Sequence, residues 1–126
     1  MHAVISTPES KNTEHGVRFA VRPRLQLTEM RVAFVSSSVP RRCGIATFTA
    51  DIMAAVRSAD PAVRCSVIAI DEPNSARAYG SEVKARIRQR EPETYRAAAA
   101  LINDSSVDVV NIQHEFGLYG VWKDGV

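Results

Sequence analysis

Apolar side chains gather in short runs along the chain, and each run stops at polar or turn-forming residues. Three of these runs are nearly continuous, which is typical of strands buried on both faces of a parallel sheet. They lie at residues 30–37 (MRVAFVSS), 63–70 (VRCSVIAI) and 107–113 (VDVVNIQ). A fourth run alternates apolar and basic residues, with Val83, Ala85 and Ile87 on one side. It predicts a short strand with one solvated face.

Between these runs the apolar period becomes helical in two places. The first helix is predicted over residues 45–58, because its apolar positions are spaced by three, four and four residues. These positions are Ile45, Phe48, Ile52 and Val56. The second is predicted from Pro92, which suits a first helical position, to about Asn103.

The resulting order is strand, helix, strand, loop, strand, helix, strand. It predicts an α/β fold in which helices flank an open, mostly parallel sheet of the Rossmann-like kind. Residues 1–29 are polar with little periodicity and predict a flexible N-terminal extension. Residues 30–126 form the predicted domain, which we expect to be incomplete because no helix follows the last strand.

Composition narrows the classes of function. The chain has 126 residues, 45% hydrophobic and 24% charged, as expected for one globular domain. Its net charge of +2 comes from scattered basic residues, so we expect no nucleic-acid partner. No apolar stretch predicts a transmembrane segment or a signal peptide. The two cysteines lack metal-ligand spacing, so we expect a cytoplasmic protein with reduced thiols, no metal and no cofactor.

The loop after the first strand, SSVPRRCG, is the first candidate site. In an open α/β sheet, ligands bind at the carboxyl ends of the strands. Gly44 permits close backbone approach there, and the following helix directs its N–H groups to the same place. Arg41 and Arg42 would add charge-assisted hydrogen bonds, so the loop suits a phosphate or another anion. A solvated loop with a turn glycine explains the same residues equally well.

The loop after the last strand, HEFGLYG, is the second candidate site. His114 follows the strand directly and could bind a sugar hydroxyl or transfer a proton near neutral pH. A packed or capping histidine is an equal alternative. Glu115 is either a substrate-binding carboxylate or a solvated one.

Several sharper motifs are absent. No G-x-G-x-x-G follows the first strand, and no Walker A sequence occurs. Leu118 stands where the zinc-protease pattern H-E-x-x-H that begins at His114 needs its second histidine. The sequence motifs thus leave an anion site and a histidine loop as the candidates.

Two stretches, RVAFVSSSVPRRCGIATFTADI and YRAAAALINDSSVDVVNIQHEFGLYG, resemble the N-terminal domain of retaining glycosyltransferases of the GT-B fold, within the glycosyltransferase 4 family. The resemblance covers roughly residues 30–120. It implies that Gly44 approaches the diphosphate of a nucleotide-sugar donor and that His114 contacts the donor sugar. Arg41, Arg42 and Glu115 are implied substrate-binding residues with a weaker correspondence. Many relatives have a Gly-Gly pair where this loop has one glycine.

The resemblance also implies partners. A complete enzyme would transfer a sugar from a nucleotide-sugar donor to a sugar or glycoside acceptor, with a C-terminal GT-B domain binding most of the donor. The present chain corresponds to the acceptor-side half and is expected to be inactive without that domain, so whether it is itself an enzyme stays open. The alternative is a non-catalytic α/β module that binds a phosphate-bearing ligand or a partner protein.

Overall fold

The computed structural model describes residues 29–120. Within them the elements follow the predicted order of strands and helices. They are β1 (Arg31–Ser36), α1 (Gly44–Ala59), β2 (Arg64–Asp71), β3 (Val83–Arg88), α2 (Pro92–Asp104) and β4 (Val109–Ile112). Residues 1–28 of the predicted 1–29 extension and the last six residues of the chain lie outside the described residues.

The four strands form one parallel sheet in the order β3-β2-β1-β4. The chain therefore runs outward from β1 through β2 to β3 and then returns to place β4 on the other side of β1. This order is that of the first four strands of a doubly wound Rossmann sheet. The predicted α/β architecture with an open parallel sheet and flanking helices is confirmed.

Two apolar clusters cover opposite faces of the sheet. Successive strand residues point to opposite faces, so Phe34 packs with Met53 of α1, whereas Val35 packs with Ala98 of α2. Neighbouring β2 residues divide in the same way between the clusters. The uninterrupted apolar runs of β1 and β2 are thus explained by burial on both faces.

The buried face of α1 differs from the predicted one. The fully buried residues are Ala46, Thr49 and Met53, whereas Phe48 is 53% exposed. Thr49 faces the sheet because its hydroxyl lies 2.7 Å from the Ser36 hydroxyl. Ile45 and Ile52 of the predicted stripe still pack, partly buried, against the two clusters, so the prediction was wrong for Phe48.

A bulge in β3 overturns the prediction that Val83, Ala85 and Ile87 share one side. Val67 pairs with Val83, but the next β2 residue, Ile68, pairs with Ala85. Lys84 is the extra residue of this irregularity. Val83 consequently packs in the cluster under α1, while Ala85 and Ile87 pack in the cluster under α2.

The last strand is less buried than predicted. Among the described elements β4 pairs only with β1, and α2 packs mainly against β3 at the far side of the sheet. Val110 and Ile112 are therefore 40% and 64% exposed, although their neighbours in the register, Ala33 and Val35, are buried. None of the described helices is long and apolar enough to span a bilayer.

Candidate functional site

The order of the strands reverses between β1 and β4, and this switch point is where open α/β sheets bind ligands. Two loops leave the sheet here: the β1–α1 loop (residues 37–43) and the β4 loop (residues 113–120). A hydrogen bond joins their origins, since the Gln113 N–H donates to the Val35 carbonyl at 3.0 Å. The two loops singled out by the sequence thus leave the same edge of the sheet from adjacent strands.

Buried serines anchor the β1–α1 loop from below. Ser36, Ser37 and Ser38 are all buried. Ser36 contacts Thr49 of α1, and the Ser37 hydroxyl lies 3.0 Å from the Cys43 sulfur. The Ser36 hydroxyl also lies 2.8 Å from the Ser37 carbonyl, so the buried hydroxyls of Ser36 and Ser37 have hydrogen-bonding partners. These two serines therefore connect the end of β1 to α1 and its N-cap.

The first turn of α1 offers unused backbone donors at this edge. Cys43 is the N-cap, but its side chain makes no capping hydrogen bond, and the first turn contains no acidic residue. Gly44 is exposed, and a Cβ placed on it would meet nothing within 4 Å. The fold itself therefore does not require glycine at this position. An anion would find backbone donors and the positive end of the helix dipole here.

The two loop arginines point to different surroundings. Arg42 is exposed and forms no ion pair with any described residue. Arg41 is directed inward, with its side chain 16% exposed. Its Nη1 donates to the Ile70 carbonyl at 3.1 Å, and its Nη2 lies 3.1 Å from Oε1 of Glu72. Only Arg42 is thus placed in the solvent at the mouth of the loop.

The end of β2 carries a charged network that the sequence analysis did not recognise. Asp71 is fully buried, and its carboxylate accepts hydrogen bonds from Arg77 and from the Tyr79 hydroxyl, the latter at 2.9 Å. Arg77 also pairs with Glu72, and Arg86 lies above the Tyr79 ring, 4.9 Å from its centroid. The network folds residues 72–82, called here the crossover loop, onto the sheet.

Protonation equilibria reflect this network. Burial acts to raise the pKa of Asp71, but hydrogen bonds from Ser75 and Tyr79 and the charge of Arg77 outweigh it, so its pKa lies below the usual value. Burial, followed by the bond to Asp71, raises the pKa of Tyr79 to about 12. Asp71 is therefore a carboxylate and Tyr79 a neutral phenol at neutral pH.

The β4 loop is fastened to the domain by its aromatic and amide groups. The Tyr119 hydroxyl donates to the Gln113 carbonyl at 2.7 Å, and the Gln89 amide donates to the Leu118 carbonyl at 2.6 Å. Leu118 is buried in the cluster under α2. Gly117 has a φ of +79°, which a side chain would disfavour. The loop is thus held by several independent contacts.

His114 lies exposed on this fastened loop. Its ring stacks on Tyr119 with a centroid separation of 6.0 Å and an interplanar angle of 25°. The tyrosine therefore supports the imidazole while leaving it accessible. Glu115 and Phe116 are exposed beside it, and Phe116 is 96% exposed. An apolar side chain this exposed next to a switch point is available for contact with a ligand or partner.

A signal for the missed network was present in the sequence. Asp71 directly follows four apolar residues of a buried strand, and a carboxylate in that position needs a partner. Which arginine supplies it depends on the path of the crossover loop, which residue spacing does not reveal. The supporting role of Tyr119 under His114 was hidden in the same way.

Among residues 29–120, no group of three or more histidine, cysteine or acidic side chains could hold a metal ion. Both cysteines are free thiols, and burial raises the pKa of Cys65. The switch-point edge therefore offers backbone donors, one exposed arginine and a supported imidazole as its chemistry.

No protein-family model, curated protein or solved structure matches the chain.

Proposed function

We propose that the chain is the acceptor-side domain of a retaining glycosyltransferase of the GT-B fold. The observation that supports this proposal is the position of the two motif loops, which leave adjacent strands at the switch point: Gly44 begins the helix after the first loop, and His114 lies on the second. The resemblance of the sequence to the glycosyltransferase 4 family concerns these same loops. Sequence motif and topology thus favour the same edge of the sheet.

In this proposal each group has a separate task. The first-turn N–H groups of α1 bind the diphosphate of a nucleotide-sugar donor, which approaches closely because Gly44 has no side chain. Arg42 adds a charge-assisted contact. His114, supported by Tyr119, donates a hydrogen bond to a hydroxyl of the donor sugar. Glu115 accepts a hydrogen bond from a substrate hydroxyl. A C-terminal GT-B domain binds most of the nucleotide, and sugar transfer to the acceptor requires it.

The alternative function is a non-catalytic module that binds a phosphate-bearing ligand or a partner protein. The exposed apolar residues of β4 and its loop favour the partner protein in particular. Val110, Ile112 and Phe116 leave an apolar surface on the described part of the chain, and such surfaces commonly mark interaction sites.

Titration of the 15N-labelled chain with inorganic pyrophosphate and then with UDP-glucose and GDP-mannose tests the proposal. We expect pyrophosphate to shift the amides of Gly44, Ile45 and Ala46. The first turn of α2 is a matched control, because it carries Glu93 and begins with a proline. Its amides should not respond.

A nucleotide sugar should also shift His114, whereas pyrophosphate alone should not. Binding of pyrophosphate without any effect of either sugar nucleotide on His114 would favour the phosphate-binding module. Equal responses at α1 and α2, or no response to any of the three compounds, would contradict the proposed site.

A further inference from the structure

Arg41 is fastened to the neighbouring strand instead of facing the mouth of the loop. Its guanidinium binds a main-chain carbonyl at Ile70 and a carboxylate at Glu72, both at the carboxyl end of β2. The β1–α1 loop is therefore held from two sides, by the buried serines at its base and by Arg41 across the sheet. Bonds from one planar guanidinium to two fixed acceptors restrict both the position and the orientation of the loop.

Glu72, the partner of Arg41, is itself held in place. Arg77 contacts Glu72 and the buried carboxylate of Asp71 through the same Nη1 atom. Arg86 supports this arrangement, since its Nη1 donates to the Ser75 carbonyl at 2.9 Å. Three guanidinium groups thus surround two carboxylates, and the network is an extension of the buried Asp71.

We propose that Arg41 is a positioning residue that sets the start of α1 through Glu72, and that the crossover loop supports the anion site in this way. The inference rests on the proposed function, because it concerns the same site. In this proposal, Arg42 is the loop residue that contacts the anion. Arg41 stays bound to Glu72 whether or not the anion is present. The contrasting hypothesis is that Arg41 is a direct anion ligand, for which Glu72 and the anion compete.

An anion site made of backbone N–H groups depends on contacts that hold the loop before the helix in place. The N–H groups of Gly44 and the next two residues can act together only when the loop presents the helix end in one orientation, and small displacements cost binding or rate. Arg41 precedes Gly44 by three residues, so a loose Arg41 would loosen the turn that leads into the helix. The Arg41 N–H also donates to the Ser38 carbonyl at 3.0 Å within that turn.

Glu72→Gln separates the two hypotheses by the sign of its effect. If Arg41 positions the loop, Glu72→Gln and Arg41→Ala should each weaken pyrophosphate binding by about two- to tenfold, as expected for residues in contact. The double variant should be no weaker than the weaker single variant. If Arg41 is a direct ligand, Glu72→Gln should tighten binding, because it releases the guanidinium and removes a negative charge.

Asp51→Asn is the matched control for charge alone. Asp51 is an exposed carboxylate of α1 and forms no ion pair with any described residue. Its replacement measures how much pyrophosphate binding improves when any nearby carboxylate is removed. Thermal unfolding of each variant checks that the domain still folds, and Arg41→Lys should restore only part of the affinity because an ammonium lacks the guanidinium fork.

Backbone 15N relaxation of the ligand-free chain provides a second, independent readout. We expect Arg41→Ala and Glu72→Gln to increase the fast motion of residues 39–44, with no such change in Asp51→Asn. Unchanged relaxation in both variants, or tighter pyrophosphate binding by Glu72→Gln than by Asp51→Asn, would overturn the positioning role. If the wild-type chain does not bind pyrophosphate, the proposed function fails, whereas the relaxation data still decide whether Arg41 holds the loop.

Discussion

Replacement of Gly44 by alanine should raise stability while it weakens anion binding. Gly44 is the first residue of α1, and a Cβ there would meet no atom within 4 Å. Where the backbone already suits an L-residue, exchanging glycine for alanine stabilises a protein by about 0.4–1 kcal/mol, because the unfolded chain loses freedom. For a domain of this size that corresponds to a rise of about 2–8 °C in the unfolding temperature.

The same methyl group would stand where the proposed phosphate approaches. A hydrogen bond to a charged group contributes about 1.5–3 kcal/mol. Displacement of the anion from one such donor should therefore weaken pyrophosphate binding by roughly ten- to 150-fold. Gly44→Val should weaken binding at least as much with a smaller gain in stability, because a β-branched residue has a lower helix propensity than alanine.

Thermal unfolding and pyrophosphate titration of the wild-type, Gly44→Ala and Gly44→Val chains measure both effects. A loss of stability in Gly44→Ala would show that the loop needs glycine for its conformation, contrary to the open space around it. Unchanged pyrophosphate affinity in both variants would show that the anion does not approach at Gly44, and the proposed site would be wrong.

Four further residues give predictions that do not depend on a ligand. The pKa of Asp71 in the folded protein lies below its ordinary value of 3.8, so its carboxylate stabilises the fold above that pH and loses this effect as the pH falls below it. Urea unfolding of the wild type between about pH 2 and 6 should show this loss of stability, and in Asp71→Asn the loss should be absent. The Tyr79 phenol should ionise near pH 12, and absorbance titration of Tyr79→Phe should lack that step; a step that persists would assign it to another tyrosine. Leu118→Ala should cost about 2–5 kcal/mol in unfolding free energy, because the side chain is buried. His114→Ala should change stability by less than about 0.5 kcal/mol; a loss comparable to that of Leu118→Ala would identify His114 as a packing residue.

The sequence predicted the order of the elements because burial on two faces leaves an unmistakable apolar run, as in Phe34 and Val35. It could not predict the bulge at Lys84. Strict alternation along a strand places Val83 and Ala85 on the same side, and the extra residue between them in the pairing with β2 moves them to opposite sides. The buried face of α1 was missed for another reason. Thr49 is buried because it meets a hydroxyl on β1, and this long-range contact outweighs the preference for burying Phe48.

The sequence predicted where the candidate site lies, but not how its two arginines differ. Parallel strands place their carboxyl ends at one edge, so the two loops could be assigned to that edge from the sequence. The sequence treated Arg41 and Arg42 alike, although the structure separates them. The difference arises from Glu72, which is distant in the chain and adjacent only after β2 has paired with β1.

The register of the central strand has a consequence for synthesis on the ribosome. On one flank of β1, Val32 pairs with Cys65 of β2, whereas on the other flank it pairs with Val109 of β4, which is translated much later. Local pairings close at a lower entropic cost than distant ones. A nascent chain can thus assemble β1, α1 and β2 while one flank of β1 still lacks its partner strand. The two loops come together at one edge of the sheet only when β4 pairs with β1, so a ligand that recognises both loops would distinguish the folded domain from a nascent chain that still lacks β4.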